Sequence, residues 1–299
     1  MLRYALHSIG LAAILVLGAP HAFSGQERFS YQDQLTHGQN IAPAFEGWEA
    51  NEDGTFNMVF GYYNRNRVEQ PDVPIGPNNN IEPGGPDQGQ PTHFFPSRNM
   101  FVFRVKVPKD FGNKDLVWTL TVHGKTERAY ATLKPDYVLD DFIMHRNFTN
   151  TTPKGIHQNK RPVITVEGDT NRTARVGQPL TLSAHVIDDG LLAPRPAASS
   201  NQGVQVPGYS PAWGLRVAWF VYRGAGSVTF DPEQFEIYPD TKGNANSPWR
   251  PGWAPPPLPP DGIFPVKVTF GASGAFVVRI MAHDGGVTSY KDVNVTVSP

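Results

Sequence analysis

Large apolar residues recur at every second position in several separate stretches of this chain, the period of half-buried β-strands. In Val117-Trp118-Thr119-Leu120-Thr121-Val122 the alternate positions are threonine or valine, and Phe56-Asn57-Met58-Val59-Phe60 carries a similar beat. The pattern predicts strands over residues 55–62, 100–107, 116–123 and 127–133 of a first folded region. A second series follows: A over 163–167, B over 179–187, C over 215–222, D over 227–230, E over 264–270, F over 275–283 and G over 288–297. Helical spacing competes almost nowhere. The fold class read from this pattern is all-β, with two β-sandwich domains of which the second is immunoglobulin-like with long inserted loops.

Punctuation divides the chain further. Residues 1–24 predict an export signal: Arg3 supplies the positive charge, residues 9–17 the apolar core, and Ala22-Phe23-Ser24 the small-x-small pattern before a cut after Ser24. That apolar run is shorter than the roughly 20 residues of a membrane span. The expected product is a soluble protein, secreted or periplasmic, beginning near Gly25. Residues 25–148 form the first unit, 149–161, rich in Thr, Asn, Lys and Pro, the expected linker, and 162–299 the second unit.

Composition narrows the classes. Glycine and proline number 29 each, yet 39% hydrophobic and 11% aromatic residues are too many for disorder, so the breakers belong to loops between strands. The absence of cysteine excludes disulfides, thiolate metal sites and a thiol nucleophile, and leaves burial to hold the fold. A net charge of -1 gives no basic surface for phosphates or anionic lipid, so nucleic acid and membrane insertion are not expected.

A resemblance to a known superfamily rests on Arg175-Val176-Gly177-Gln178-Pro179, Val186-Ile187-Asp188-Asp189-Gly190, Val217-Ala218-Trp219, Gly224-Ala225-Gly226-Ser227-Val228-Thr229-Phe230 and Ile280-Met281-Ala282-His283-Asp284-Gly285. Together these resemble the PKD/Ig-like repeats of bacterial secreted and surface proteins, over residues 163–297. The chain departs from the PKD pattern after Trp219, where Phe220-Val221-Tyr222-Arg223-Gly224 replaces the usual Gly-Asp-Gly turn. The resemblance implies a core position for Trp219 and a role in binding proteins or glycans, or in spacing. The first unit resembles only uncharacterised exported bacterial proteins.

Catalytic motifs are missing: there is no His-Glu-x-x-His, Gly-x-Ser-x-Gly, Walker loop or Gly-x-Gly-x-x-Gly after a strand. The long segment 70–98 gathers Glu82, Asp87, Gln90 and His93, which would suit acid/base work on an extracellular polymer or hard oxygen ligation; a loop folded over the sandwich is the other reading. Asp188, Asp189 and Asp284 end strands B and F, which an immunoglobulin-like topology brings to one pole. Three carboxylates there would suit a calcium ion, or each Asp would close its own turn before glycine. Residues 191–214 and 231–263 are far longer than hairpin loops and carry Tyr209, Trp213, Tyr238, Trp249 and Trp253. Rigid, Pro-backed aromatics of this kind make good contact faces for a sugar ring or a side chain, and equally good core fillers. The expected function is non-enzymatic recognition of a glycan or protein partner outside the cytoplasm, with a polymer-acting hydrolase and a structural spacer as alternatives.

Overall fold

The computed structural model describes residues 36–148, 155–192, 214–234, 257–285 and 287–299. The first sandwich faces a sheet of β1 (Ile41–Ala50), β2 (Phe56–Asn64) and β4 (Ser97–Val107), in the order β1-β2-β4, with a sheet of β3 (Asn79–Glu82), β5 (Leu116–Val122) and β6 (Lys125–Ala131), in the order β3-β5-β6. Alternation decides which side of each strand is buried: in β5, Leu116, Trp118, Leu120 and Val122 point inward and the residues between them lie half-exposed. Phe60 stacks on Phe103 with centroids 5.2 Å apart, and Trp118 meets both rings edge-on at 5.9 and 4.9 Å. A short helix, α1 (Asp141–Phe148), covers the outer face of the first sheet through Met144, which packs with Val59, Phe101 and Leu139.

The second sandwich contains β7 (Val163–Val166), β8 (Asn171–Arg175), β9 (Pro179–Leu182), β10 (Ala184–Ile187), β11 (Arg216–Arg223), β12 (Val228–Asp231), β13 (Val266–Phe270), β14 (Gly274–His283) and β15 (Thr288–Ser298). One face runs β11-β14-β15-β8, with β8 parallel to β15; the other is made of β12-β13-β9 and β10-β7. In immunoglobulin terms these are C-F-G-A′ opposed to D-E-B-A. The B strand expected over 179–187 is present as two pieces, β9 paired with E and β10 paired with A, with Ser183 between them. Trp219 lies in this core at 1% exposure, its indole N–H donating to the Phe264 carbonyl at 3.0 Å.

Strand β11 is buried on both faces. Val217 and Trp219 face their own core, while Ala218, Phe220 and Tyr222, with Met281 of β14, belong to the core of the first sandwich. A strand covered on both sides reads as an unbroken apolar run, which is what Val217-Ala218-Trp219-Phe220-Val221-Tyr222 is. Arg279 of β14 crosses this junction at 3% exposure, bound to Asp292 through two bonds of 2.6 and 2.8 Å and to the Val102 carbonyl at 3.0 Å. Its guanidinium lies 3.3 Å from the Tyr222 ring centroid and 4.0 Å from that of Tyr290. Burial pulls its pKa down, but Tyr222 and Asp292 outweigh burial and hold it above the ordinary value.

The segment over 70–98 cements the two sandwiches. Its many prolines leave carbonyls without strand partners, and buried asparagines answer them: Asn79 donates to Val73 and Pro91, Asn64 to Glu69 and Phe94, and Asn99 to Phe95, Pro96 and Ser97. From the other side Arg223 donates to the Gln90 carbonyl at 2.8 Å, and the Tyr222 hydroxyl to that of Gly89 at 2.6 Å.

Candidate functional site

The pole of the second sandwich, where β10 and β14 end, holds the strongest concentration of unsatisfied charge among the described residues. Topology delivers it. Strand β10 stops at Ile187, so Asp188 and Asp189 follow at the rim, and β14 stops at His283, so Asp284 follows at the same rim. One carboxylate oxygen from each of the three lies within 4.8 Å of the others.

The three differ in how their oxygens are used. Asp188 accepts from Gly190 N–H at 3.0 Å, leaving its Oδ1 buried without a donor. Asp189, exposed, accepts from Leu191 N–H at 2.9 Å and from Lys160 N–H at 3.0 Å. The expected turn-closing role is therefore present for these two. Asp284 is different: its side chain is 0% exposed and neither carboxylate oxygen has a hydrogen bond of normal geometry. Burial pushes its carboxyl up to about 7, with the Asp188 and Asp189 charges adding to burial and the Asn159 amide opposing it. Burial also raises Asp188, again with help from Asp189. Arg216 stands at the β11 end of this pole, opposite His283, and burial lowers its pKa to about 10.

Asn159 is the residue that sequence reasoning missed. It follows a single 3-10 turn over Ile156–Gln158 inside the segment read as a linker, whose residues 149–154 lie outside the described part. Ile156 is 4% exposed and Asn159 9%, and the Asn159 amide lies beside Asp284, close enough to hold its carboxyl down yet without a hydrogen bond of normal geometry on either its oxygen or its nitrogen. Only the pairing of that segment with the pole reveals it.

Beside Asn159 opens a cleft of about 640 Å³ between the sandwiches, lined by Glu49, Arg104, Asp141, His157 and Arg161 among others. Its charges are mutually bound. Arg104 grips Glu49 at 2.7 and 3.0 Å, and Arg161 bonds Glu49 at 3.1 Å, Asp141, and the Thr288 carbonyl at 3.2 Å. Burial pushes the Glu49 carboxyl up, but the two guanidiniums outweigh it and hold it below the usual range. The cleft is a structural lock joining β1, β4, α1 and the segment before β7.

The residues considered for acid/base work are engaged separately. Asp87 is held by Arg223 at 2.8 and 3.1 Å, and Arg223 keeps its carboxyl below the usual range. His93 pairs with Asp72 at 2.7 Å and Gln70 at 3.1 Å, Gln90 is buried among loop carbonyls, and Glu82 stands exposed at the end of β3. The aromatic candidates Tyr209, Trp213, Tyr238, Trp249 and Trp253 lie outside the described residues. The flanks of their segments do not. Gly262 accepts from Val186 N–H at 2.9 Å, and Phe264 N–H donates to Ala184 at 2.8 Å, so the D–E connection returns beside the end of β10, where the B–C connection leaves.

No protein-family model matches the chain, and no curated protein does. Among solved structures, domains 4 and 5 of the S-layer protein SbsC share 13% identity, covering 62% of this chain and 66% of that one with a TM-score of 0.23. Immunoglobulin domains 1–4 of Sidekick-1 share 10%, covering 86% and 48% with a TM-score of 0.22. Adhesin InvE of Yersinia pseudotuberculosis shares 11%, covering 88% and 60% with a TM-score of 0.23. The chain thus spans less than two thirds of each of these three. Similarity at this level carries no functional weight, and the immunoglobulin-like arrangement rests on the strand pairing itself. No helix among the described residues is long and apolar enough to cross a membrane.

Proposed function

We propose that this chain is a non-enzymatic binding or adhesion-type protein, exported after removal of residues 1–24, whose second, PKD-like sandwich recognises a glycan or protein partner through the loops of its pole. One observation supports this reading above the others: the described ends of both long connections of the second sandwich lie at the pole that carries Asp188 and Gly262, while its C-F-G face is covered by the first sandwich. With that face engaged, the outward side of the D-E-B sheet offers mainly short polar chains such as Thr181, Thr229 and Thr269. Long connections are where binding residues concentrate on rigid scaffolds. The double interlock of Arg223 with Asp87 and Arg279 with Val102 supplies the rigidity, which lowers the cost of ordering a contact surface.

The test is a glycan and extracellular-protein screen with the chain from Gly25 onward, repeated with Trp249→Ala and Trp253→Ala combined. The expected result is a retained ligand that the double variant loses while its circular dichroism and melting temperature stay unchanged. Equal retention by both proteins, or a double variant that unfolds, would remove the aromatic loops from the binding role and favour a spacer.

A further inference from the structure

We propose that Asp188, Asp189 and Asp284, together with the side-chain oxygen of Asn159, form a calcium site that fastens the segment before β7 to the base of the loop-bearing pole. Four observations converge on it. The carboxylate oxygens lie within 4.8 Å of one another. Ligands of one calcium ion lie at most about 4.6–5.2 Å apart, twice the metal–oxygen distance, so all three oxygens can share one ion, and a flexible set of carboxylates and an amide suits calcium better than the strict octahedron of magnesium. The spacing is within the reach of one calcium ion.

Second, Asp284 is wholly buried with neither oxygen in a hydrogen bond of normal geometry, a costly state for an ionised carboxylate unless a cation or donors compensate. Third, Asn159 is a separate, nine-tenths buried polar side chain from another part of the chain, turned toward Asp284 with its own oxygen free. Turned about its last bond, that amide presents its oxygen instead of its N–H donors, and amide oxygens commonly complete calcium shells. Fourth, the buried Oδ1 of Asp188 at the same rim has no donor either, so acceptors from two strand ends are left for a cation to share. Asp284 can offer two oxygens, Asp188 its free Oδ1, Asp189 a remaining lone pair and Asn159 its Oδ1, with water completing the six to eight ligands calcium takes.

The consequence is mechanical. Asn159 and the Lys160 N–H that bonds Asp189 belong to the segment between the sandwiches, so one ion would join that segment, the start of the B–C connection and the F–G turn. This site is independent of which partner the pole recognises.

The experiment uses the chain from Gly25 onward, stripped with a chelator and titrated with calcium chloride alone, then with magnesium chloride. Isothermal titration should show one calcium site, with at least tenfold weaker magnesium binding, and calcium should raise the melting temperature. Hydrogen exchange should slow at Lys160, Gly190 and Leu191, whose amides lie against the carboxylates. Asp284→Asn should weaken calcium at least tenfold; Asp189→Asn, at an exposed position, gives the same reading should the first variant fold poorly. No heat and no melting shift between chelator and millimolar calcium would overturn the site. Unchanged calcium affinity in both variants would overturn its location. Calcium binding without any partner retention in the earlier screen would leave this site standing and remove only the binding function.

Discussion

Replacing Arg279 with methionine tests the idea that the two sandwiches share one core and are pinned through it. Methionine keeps the unbranched stem and volume, so the change removes mainly the guanidinium. Three losses follow. The two tyrosine faces at 3.3 and 4.0 Å each lose a desolvated cation contact, about 1–2 kcal/mol apiece. The Val102 carbonyl loses its buried donor, about 1–3 kcal/mol. Asp292 loses its partner, but at 37% side-chain exposure water takes over much of that role, so this loss belongs near the roughly 1 kcal/mol of a surface pair. Against these stands the relief of keeping a cation out of water, several kcal/mol. The balance we expect is a destabilisation of about 3 kcal/mol. Urea melts followed by tryptophan fluorescence and far-ultraviolet circular dichroism would measure it, and with a slope near 3 kcal/mol/M the midpoint should fall by about 1 M. Arg279→Lys should recover less than half, because an ammonium cannot make the bidentate bond and stack at once. A methionine variant as stable as the parent, or more so, would show that the desolvation cost outweighs every contact and that the junction does not depend on this residue.

Trp219→Ala should cost about 3–5 kcal/mol in the same melts, the usual loss for emptying a buried aromatic site, and a loss under 1 kcal/mol would contradict its place in the second core. Gly61→Ala probes the first sandwich: a Cβ there would fall on the Glu46 carboxylate and the Asn99 carbonyl, so a destabilisation of roughly 2 kcal/mol is expected, and a neutral result in thermal melts would mean the Glu46–Arg98 pair yields freely.

What the sequence discloses about this fold depends on how each strand is surrounded. Strands with one face in a core, such as β5 and β13, announce themselves by alternation, and their bounds come within two residues of those expected. β8, Asn-Arg-Thr-Ala-Arg, is an edge strand that buries little, so it has no apolar pattern to find. β1 is interrupted by Pro43 and by Gly47, which lies at φ 138 at an irregularity in its pairing with β2. β3 hides inside a Pro- and Gly-rich segment whose order comes from asparagine side chains rather than from a ladder. The carboxylate cluster was legible because topology alone joins the ends of B and F. Asn159 was not, since nothing in a polar stretch says which of its side chains turns inward. The junction was written in residues 217–222 and in the lone arginine among the apolar residues 275–282 of β14, but a run of apolar residues does not name what covers it.

A strand with two cores on its flanks also limits what this protein can become. Ordinary immunoglobulin-like units multiply along a chain because each is closed upon itself and can be copied, shuffled or trimmed without injury to its neighbours. Residues 162–299 share a core with their neighbour: cut away from the first sandwich, they would present Ala218, Phe220, Tyr222 and Met281 to water as an adhesive stripe. A second copy made without its partner would carry that stripe uncovered, so copying both halves together avoids an aggregation liability that copying one would create.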